Sequence, residues 1–320
     1  MPCWNRVTHN RSPSAIRKFG NSAIRQFGNT IRPVKPSIRL IAIDIDGTLL
    51  DPQFQVSDAN LAALRRAHQA GVEILLVTGR RHMFAMPIAE ALGFDLWLIS
   101  SNGAVTKSTG GEHFFTDKLP AAIARKLLRH MEEFRGNAVL TFEREGRGAL
   151  VLERTDELHG SISRWMEKNE AYIERVTPLE AALVTDPIQA MFCGTVARMQ
   201  QAQARLAAAG MANEITVLKT EYVARDLTIV DILNYGCSKG HALERWARNR
   251  GIDRNQVMAI GDNYNDVEML EFAGVPVIMG NACPELKQRG WMETAGNDQS
   301  GVAVAVEQAL DMAAAAAKPE

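Results

Sequence analysis

Short apolar runs recur along the chain, and each is followed by a segment with helical spacing. Residues 38–44 (IRLIAID), 72–77 (VEILLV), 96–99 (LWLI), 257–260 (VMAI) and 275–279 read as strands that are apolar on both faces. Between them, Ser57 is placed to cap a helix carrying Leu61, Leu64 and Ala67 on one side, and Gly71 ends it. A second helix runs to Ala91 and Leu92 and stops at Gly93, and two more are predicted over 240–249 and 266–272. Such alternation predicts a doubly wound, Rossmann-like α/β fold with a parallel sheet covered on both faces. In such sheets, ligands bind beyond the carboxyl ends of the strands.

The middle of the chain has another rhythm. A helix near 120–134 precedes strands at 138–143 and 148–153, and a helix follows near 157–169. Then come a strand at 188–193, a helix at 196–209 and a strand at 215–221. The Glu-Gly-Arg-Gly turn at 145–148 joins neighbouring strands and predicts an antiparallel hairpin. The division expected is a core of 38–104 and 226–320 with an α+β cap domain, 105–225, inserted into it. Residues 1–37 stand apart as a basic extension. It contains the tandem octapeptide SAIRKFGN, SAIRQFGN over 14–29, too short a period for a solenoid. Low apolar content and eight basic side chains without an acid up to residue 40 predict disorder there, although a targeting segment has similar composition.

Charge narrows the function. Over 41–320 there remain 28 basic against 37 acidic residues, an unfavourable balance for nucleic acid. No apolar run reaches the ~18–20 residues of a membrane helix. The four cysteines form no Cys-x-x-Cys pair, which fits a reducing, cytoplasmic setting and argues against a zinc knuckle.

Four polar clusters fall at strand ends or helix starts. Asp44-Ile45-Asp46-Gly47-Thr48 directly follows the first strand, so two carboxylates can turn into one cavity, and Gly47 permits a sharp turn. An EF-hand also contains Asp-x-Asp, but the apolar Ile45 and the preceding strand oppose that reading. Thr78-Gly79-Arg80 follows the second strand, where a hydroxyl and free N–H groups make either an anion site or a simple helix cap. Ser238-Lys239-Gly240 opens a helix. Gly261-Asp262-Asn263-Tyr264-Asn265-Asp266 follows a late strand and offers oxygens that suit a hard cation.

In this order and spacing the clusters resemble the haloacid dehalogenase-like phosphohydrolase superfamily, and within it the Cof-type branch with a large α/β cap. The resemblance covers about 38–320 and includes Ser101-Asn102-Gly103-Ala104 and Asn297-Asp298-x-x-Gly301-Val302-Ala303. The last segment is one residue longer than the usual form. The resemblance implies a Mg²⁺-dependent phosphatase acting on a small phosphorylated metabolite through an aspartyl-phosphate. Asp44 would be the nucleophile and Asp46 the general acid and base. Asp44, the Asp46 carbonyl and Asp262 would hold the metal. Thr78, Gly79, Asn102, Lys239, Asn263 and Asn265 would contact phosphate or substrate, with Gly47 and Asp266 in support. Neither nucleic acid nor membrane is an expected partner, and the expected state is a monomer or homodimer.

Two other classes use the same residues: a phosphomutase or phosphotransferase, which excludes water, and a non-catalytic binding protein. Inorganic phosphate release separates the first from a phosphatase, and any turnover separates the second. The chain has no G-x-G-x-x-G after a strand, no P-loop, no G-x-S-x-G and no H-E-x-x-H. Arg144 and Arg147 at the predicted hairpin turn are placed to reach an anionic or sugar group, or to remain solvated.

Overall fold

A computed structural model describes residues 38–154, 160–222 and 225–316 of the chain. The tandem octapeptide, the start of the helix expected near 157 and the rest of the N-terminal extension lie outside the described residues. The strands β1 (Leu40–Ile43), β2 (Glu73–Val77), β3 (Trp97–Ser100), β4 (Val105–Ser108), β5 (His113–Thr116), β12 (Val257–Gly261), β13 (Val275–Ile278) and β14 (Met292–Glu293) make one sheet. Its order is β14-β13-β12-β1-β2-β3-β4-β5. The first six run parallel, and β4 and β5 add an antiparallel edge.

Alternation along β1 explains the two layers. Ile41 and Ile43 face α1 (Asp58–Gln69), α2 (His82–Ala91) and α9 (Gly301–Ala316), packing among Ala63, Leu64, Ala89 and Val306. Leu40 and Ala42 face α6 (Lys239–Asn249), α7 (Val267–Phe272) and α8 (Pro284–Lys287), packing among Leu243, Trp246 and Leu270. Ser57 caps α1 as predicted, its side chain accepting from the Asn60 N–H. Trp246 rests against Trp97 and edge-on to Phe114, and its indole N–H donates to Glu73 at 2.7 Å.

A second sheet has the order β10-β11-β9-β6-β7-β8. Its strands are β6 (Ala138–Thr141), β7 (Leu150–Leu152), β8 (Ile173–Arg175), β9 (Gln189–Gly194), β10 (Ile215–Tyr222) and β11 (Leu227–Asn234). One face packs on α3 (Ala121–His130) and α5 (Val196–Ala207), and part of the other on α4 (Gly160–Asn169). β6 and β7 form the antiparallel pair expected across 145–148. All six strands come from the chain between β5 and α6, so this is the inserted α+β cap of an α/β fold.

The expected boundaries, however, do not follow the sheets. β4 and β5, beyond residue 104, extend the larger sheet, β4 pairing antiparallel with β3 and β5 with β4. β11, expected in the core, pairs antiparallel with both β10 and β9 in the cap sheet. The reason is local. A strand that returns within a few residues pairs with its predecessor, and Asp226, at φ 45, lies in that turn. Among the described residues no helix is long and apolar enough to cross a membrane.

Trp246→Ala removes a large, fully buried side chain and takes the indole donor from Glu73 Oε1, leaving only Arg250 on that carboxylate. It is expected to cost about 3–5 kcal/mol, read as a lower urea midpoint with an unchanged slope.

Candidate active site

Register brings the polar clusters together. Ile43 lies opposite Ile260 on one side and Leu76 on the other, so the carboxyl ends of β1, β12 and β2 coincide. Asp44 leaves β1 still hydrogen-bonded to it, its N–H donating to the Ile260 carbonyl at 3.0 Å. At the next strand end, the Thr48 hydroxyl donates to Asp262 Oδ1 at 2.9 Å. Gly47, at φ 86, both turns the chain and leaves room for Asp262. A Cβ there would stand 2.4 Å from Asp262 Oδ2.

Lys239 is buried beneath this turn, 1 % exposed. Its Nζ donates to Asp44 Oδ1 at 2.6 Å and to Asp266 Oδ1 at 2.7 Å. Burial alone would lower its pKa, but Asp266 and Asp44 outweigh burial and hold it charged. Asp266 Oδ2 accepts the N–H groups of Asp262 and Asn263 at 3.1 and 3.0 Å. Both oxygens of Asp266 are thus committed, and it acts as a brace between Lys239 and the β12 loop.

Oxygens of Asp44, Asp262 and Asp266 lie within 4.8 Å of one another. Burial raises the Asp44 pKa well above the usual carboxylate range. Lys239 opposes that rise, while the neighbouring carboxylates add to it. Burial, then Asp266, pushes Asp262 up to about 7. Asp46 adds a fourth carboxylate, gripped in bidentate fashion by Arg80 at 2.7 and 2.5 Å. Four carboxylates therefore meet two cations, Lys239 and Arg80. A divalent cation would restore the balance, and hard oxygens are the donors that such an ion takes.

The phosphate candidates divide. Thr78 is buried, and its Oγ1 accepts the Arg80 N–H at 3.0 Å, leaving its proton free to donate. It is not a helix cap, because α2 begins four residues later behind Arg81. Gly79 lies against the Asn102 amide, where a Cβ would stand 3.1 Å from Oδ1. Asn265 is buried and donates to Asn102 Oδ1 at 3.0 Å.

Two candidates have other duties. Asn263 Oδ1 accepts the Tyr264 N–H at 2.9 Å and caps the short turn over 264–266. The Asn102 amide is taken up between Asn265 and Asp231, whose Oδ2 accepts from Asn102 Nδ2 at 2.8 Å. Ser101 and Asn102 both have positive φ, 49 and 53, and Gly103 follows at 108. A Cβ on Gly103 would meet the Ser238 carbonyl oxygen at 2.2 Å. This strained turn is therefore pressed against the start of α6.

Three residues that face the site went unassigned. Arg80 stood in the quoted Thr-Gly-Arg without a role. Asp231 is a buried carboxylate in an apolar strand, a signal that a polar partner awaits it. Burial pushes it up to about 7, against the opposing pull of the Asn102 hydrogen bond and of Lys239. The pKa of Tyr222, at the end of β10, is raised first by burial and then by the charges of Asp46, Asp44 and Asp262. Arg225 lies over the rings of both Tyr222 and the exposed Phe54.

A family model described as haloacid dehalogenase-like hydrolase matches residues 41–306. The chain is 32% identical over 292 residues to phosphatase YwpJ of Bacillus subtilis, covering 83% of this chain and 98% of that protein. It is 29% identical over 271 residues to pyridoxal phosphate phosphatase YbhA of Escherichia coli, covering 83% and 96%. A solved haloacid dehalogenase-like hydrolase from Bacteroides thetaiotaomicron superposes with a TM-score of 0.69 at 26% identity, over 85% of this chain and 99% of that one.

The raised pKa of Asp262 predicts a pH effect on the metal-free protein. A carboxyl that titrates near 7 when folded and near ~3.9 when unfolded binds protons more tightly in the native state. Stability is therefore highest below the unfolded value and is lost as pH rises through 7. In chelator, the fall in melting temperature from about pH 5 to about pH 8 is expected to be smaller in Asp262→Asn. An equal fall in both proteins would remove Asp262 as its cause.

Proposed function

This chain belongs to the haloacid dehalogenase-like hydrolase family and is a phosphatase, and from that premise we propose that it hydrolyses small organic phosphate monoesters through an aspartyl-phosphate on Asp44. The observation that carries this reading is the division of labour between the two carboxylates of the β1 turn. Asp44 is buried with one oxygen pinned by Lys239, whereas Asp46 is half-exposed and oriented by Arg80.

The other oxygen of Asp44 attacks phosphorus, forming a P–O bond as the bond to the leaving alcohol breaks. Asp46 gives its proton to the departing oxygen and is left as a carboxylate. It then takes a proton from a water molecule, which attacks phosphorus and breaks the bond to Asp44. Arg80 leaves a lone pair on each Asp46 oxygen, so both transfers remain open to it. Thr78, Asn265 and Lys239 hold the phosphoryl oxygens, and the last offsets their charge.

The cation that best fits the donor set is Mg²⁺, held by Asp44, Asp262 and the Asp46 carbonyl. Bound there, it would neutralise charge between the nucleophile and the phosphate dianion. Asp266 is left out of that shell because its oxygens serve Lys239 and the β12 loop. The relatives' substrates, pyridoxal phosphate among them, are small phosphorylated metabolites, and a leaving group of that class is the one proposed for this chain.

Asp44→Asn is expected to abolish phosphate release from an aryl phosphate while keeping the melting temperature near that of the parent. Substantial remaining turnover would overturn the nucleophile. Asp46→Asn should lose about 10²–10⁴-fold on alkyl esters and less on aryl esters, whose leaving groups need no proton. Equal losses on both would count against the acid role.

A further inference from the structure

The β11 strand carries a carboxylate that the reaction does not use. Asp231 is buried, and its two oxygens accept from two different elements: Gln189 Nε2 of β9 at 2.9 Å and Asn102 Nδ2 at 2.8 Å. Asn102 in turn accepts from Asn265 Nδ2 at 3.0 Å. Four side chains thus run in a line from the cap sheet to the residue proposed to grip phosphate.

We propose that Asp231 is a positioning residue of the phosphoryl site, fixing the orientation of Asn265 through the amide of Asn102. The proposal rests on the phosphatase reading above. Its physical basis is the asymmetry of the groups. An amide can face a neighbour with either end, whereas a carboxylate with both oxygens engaged by N–H donors, as in Asp231, only accepts. Asp231 therefore turns Asn102 Nδ2 toward itself and Oδ1 toward Asn265. Asn265 must answer with an N–H, which sets where its remaining polar atoms point. Without Asp231, the Asn102 amide has no reason to prefer one end, and Asn265 loses its fixed partner.

The backbone of Asn102 gives this arrangement its leverage. Its N–H donates to the Thr78 carbonyl at 3.0 Å, and the Ser101 N–H donates to the Arg80 carbonyl at 2.8 Å. Gly103 presses on Ser238, next to Lys239. The turn touches the Thr78, Lys239 and Asn265 segments at once, and Asp231 is its one side-chain tie to the cap sheet among the hydrogen bonds of the described residues. The phosphate grip is thereby linked to the seating of the cap.

The test compares Asp231→Leu with Asp231→Asn, using aryl phosphate turnover and inhibition by orthovanadate. Leu fills the site but accepts nothing. It is expected to lower kcat/KM and orthovanadate affinity by about 10- to 100-fold each, the range of one hydrogen bond to a charged group. Asn offers Asn102 a carbonyl, with Gln189 free to turn its unpartnered Oε1 toward the new amide N–H, and should lose less of both than Leu. Should the leucine variant not fold, Asp231→Ala carries the same comparison. Parent-like orthovanadate affinity in the folded Leu or Ala variant, or equal damage in Asn, would overturn the inference. A parent protein that neither releases phosphate nor binds orthovanadate would instead overturn the phosphatase reading.

Discussion

Everything at the site depends on burying like charges close together. Four carboxylates converge where three parallel strands end, and mutual repulsion in a poorly hydrated space is costly. Lys239 meets that cost from below, with one ammonium shared between Asp44 and Asp266 and almost no contact with solvent. Remove it, and two buried carboxylates lose the cation they share. The folding of the core and the readiness of the site to take a cation are thus two sides of one electrostatic requirement.

The same requirement explains the small residues around it. Gly47 lets Asp262 approach the β1 turn, and Gly261 leaves room for the Asp266 side chain, 2.6 Å from where a Cβ would be. These glycines are demanded by close approach as much as by turning. Thr48 and the N–H groups of Asp262 and Asn263 then satisfy oxygens that no cation reaches.

Much of this was legible in the residues. The parallel strands β1, β2 and β12 are near-continuous apolar runs, and Asp44, Thr78 and Asp262 each follow one directly, so proximity at a common sheet end could be anticipated. What was not legible depended on tertiary pairing. β4 and β5 are short and half-polar, and β14 spans two residues, so none carries a period long enough to read. β11 is strongly apolar, and its placement failed because hydrophobic pattern does not say which sheet a strand joins. The position of Asn102 in the motif does not show that both ends of its amide are engaged by distant residues. Arg80, Tyr222 and Asp231 were missed because their partners lie tens to hundreds of positions away.

The route of the chain after β11 has one more consequence. The strand ends at Asn234, and Lys239 is the first residue of α6, so a cap strand and the buried lysine share one short tether. Asn234 is also tied to Asp117 on the chain leading into the cap, its Nδ2 donating at 2.7 Å. A chimera that exchanges caps between relatives therefore cannot be spliced freely. A joint that changes the length of 235–238 would drag the ammonium off its two carboxylates. A joint at the exposed turn of 145–147 would leave that tether intact. The cap is thus fixed at its root, and the same turn is also held to the core by Arg81, which donates to the Phe142 and Arg144 carbonyls at 3.2 Å.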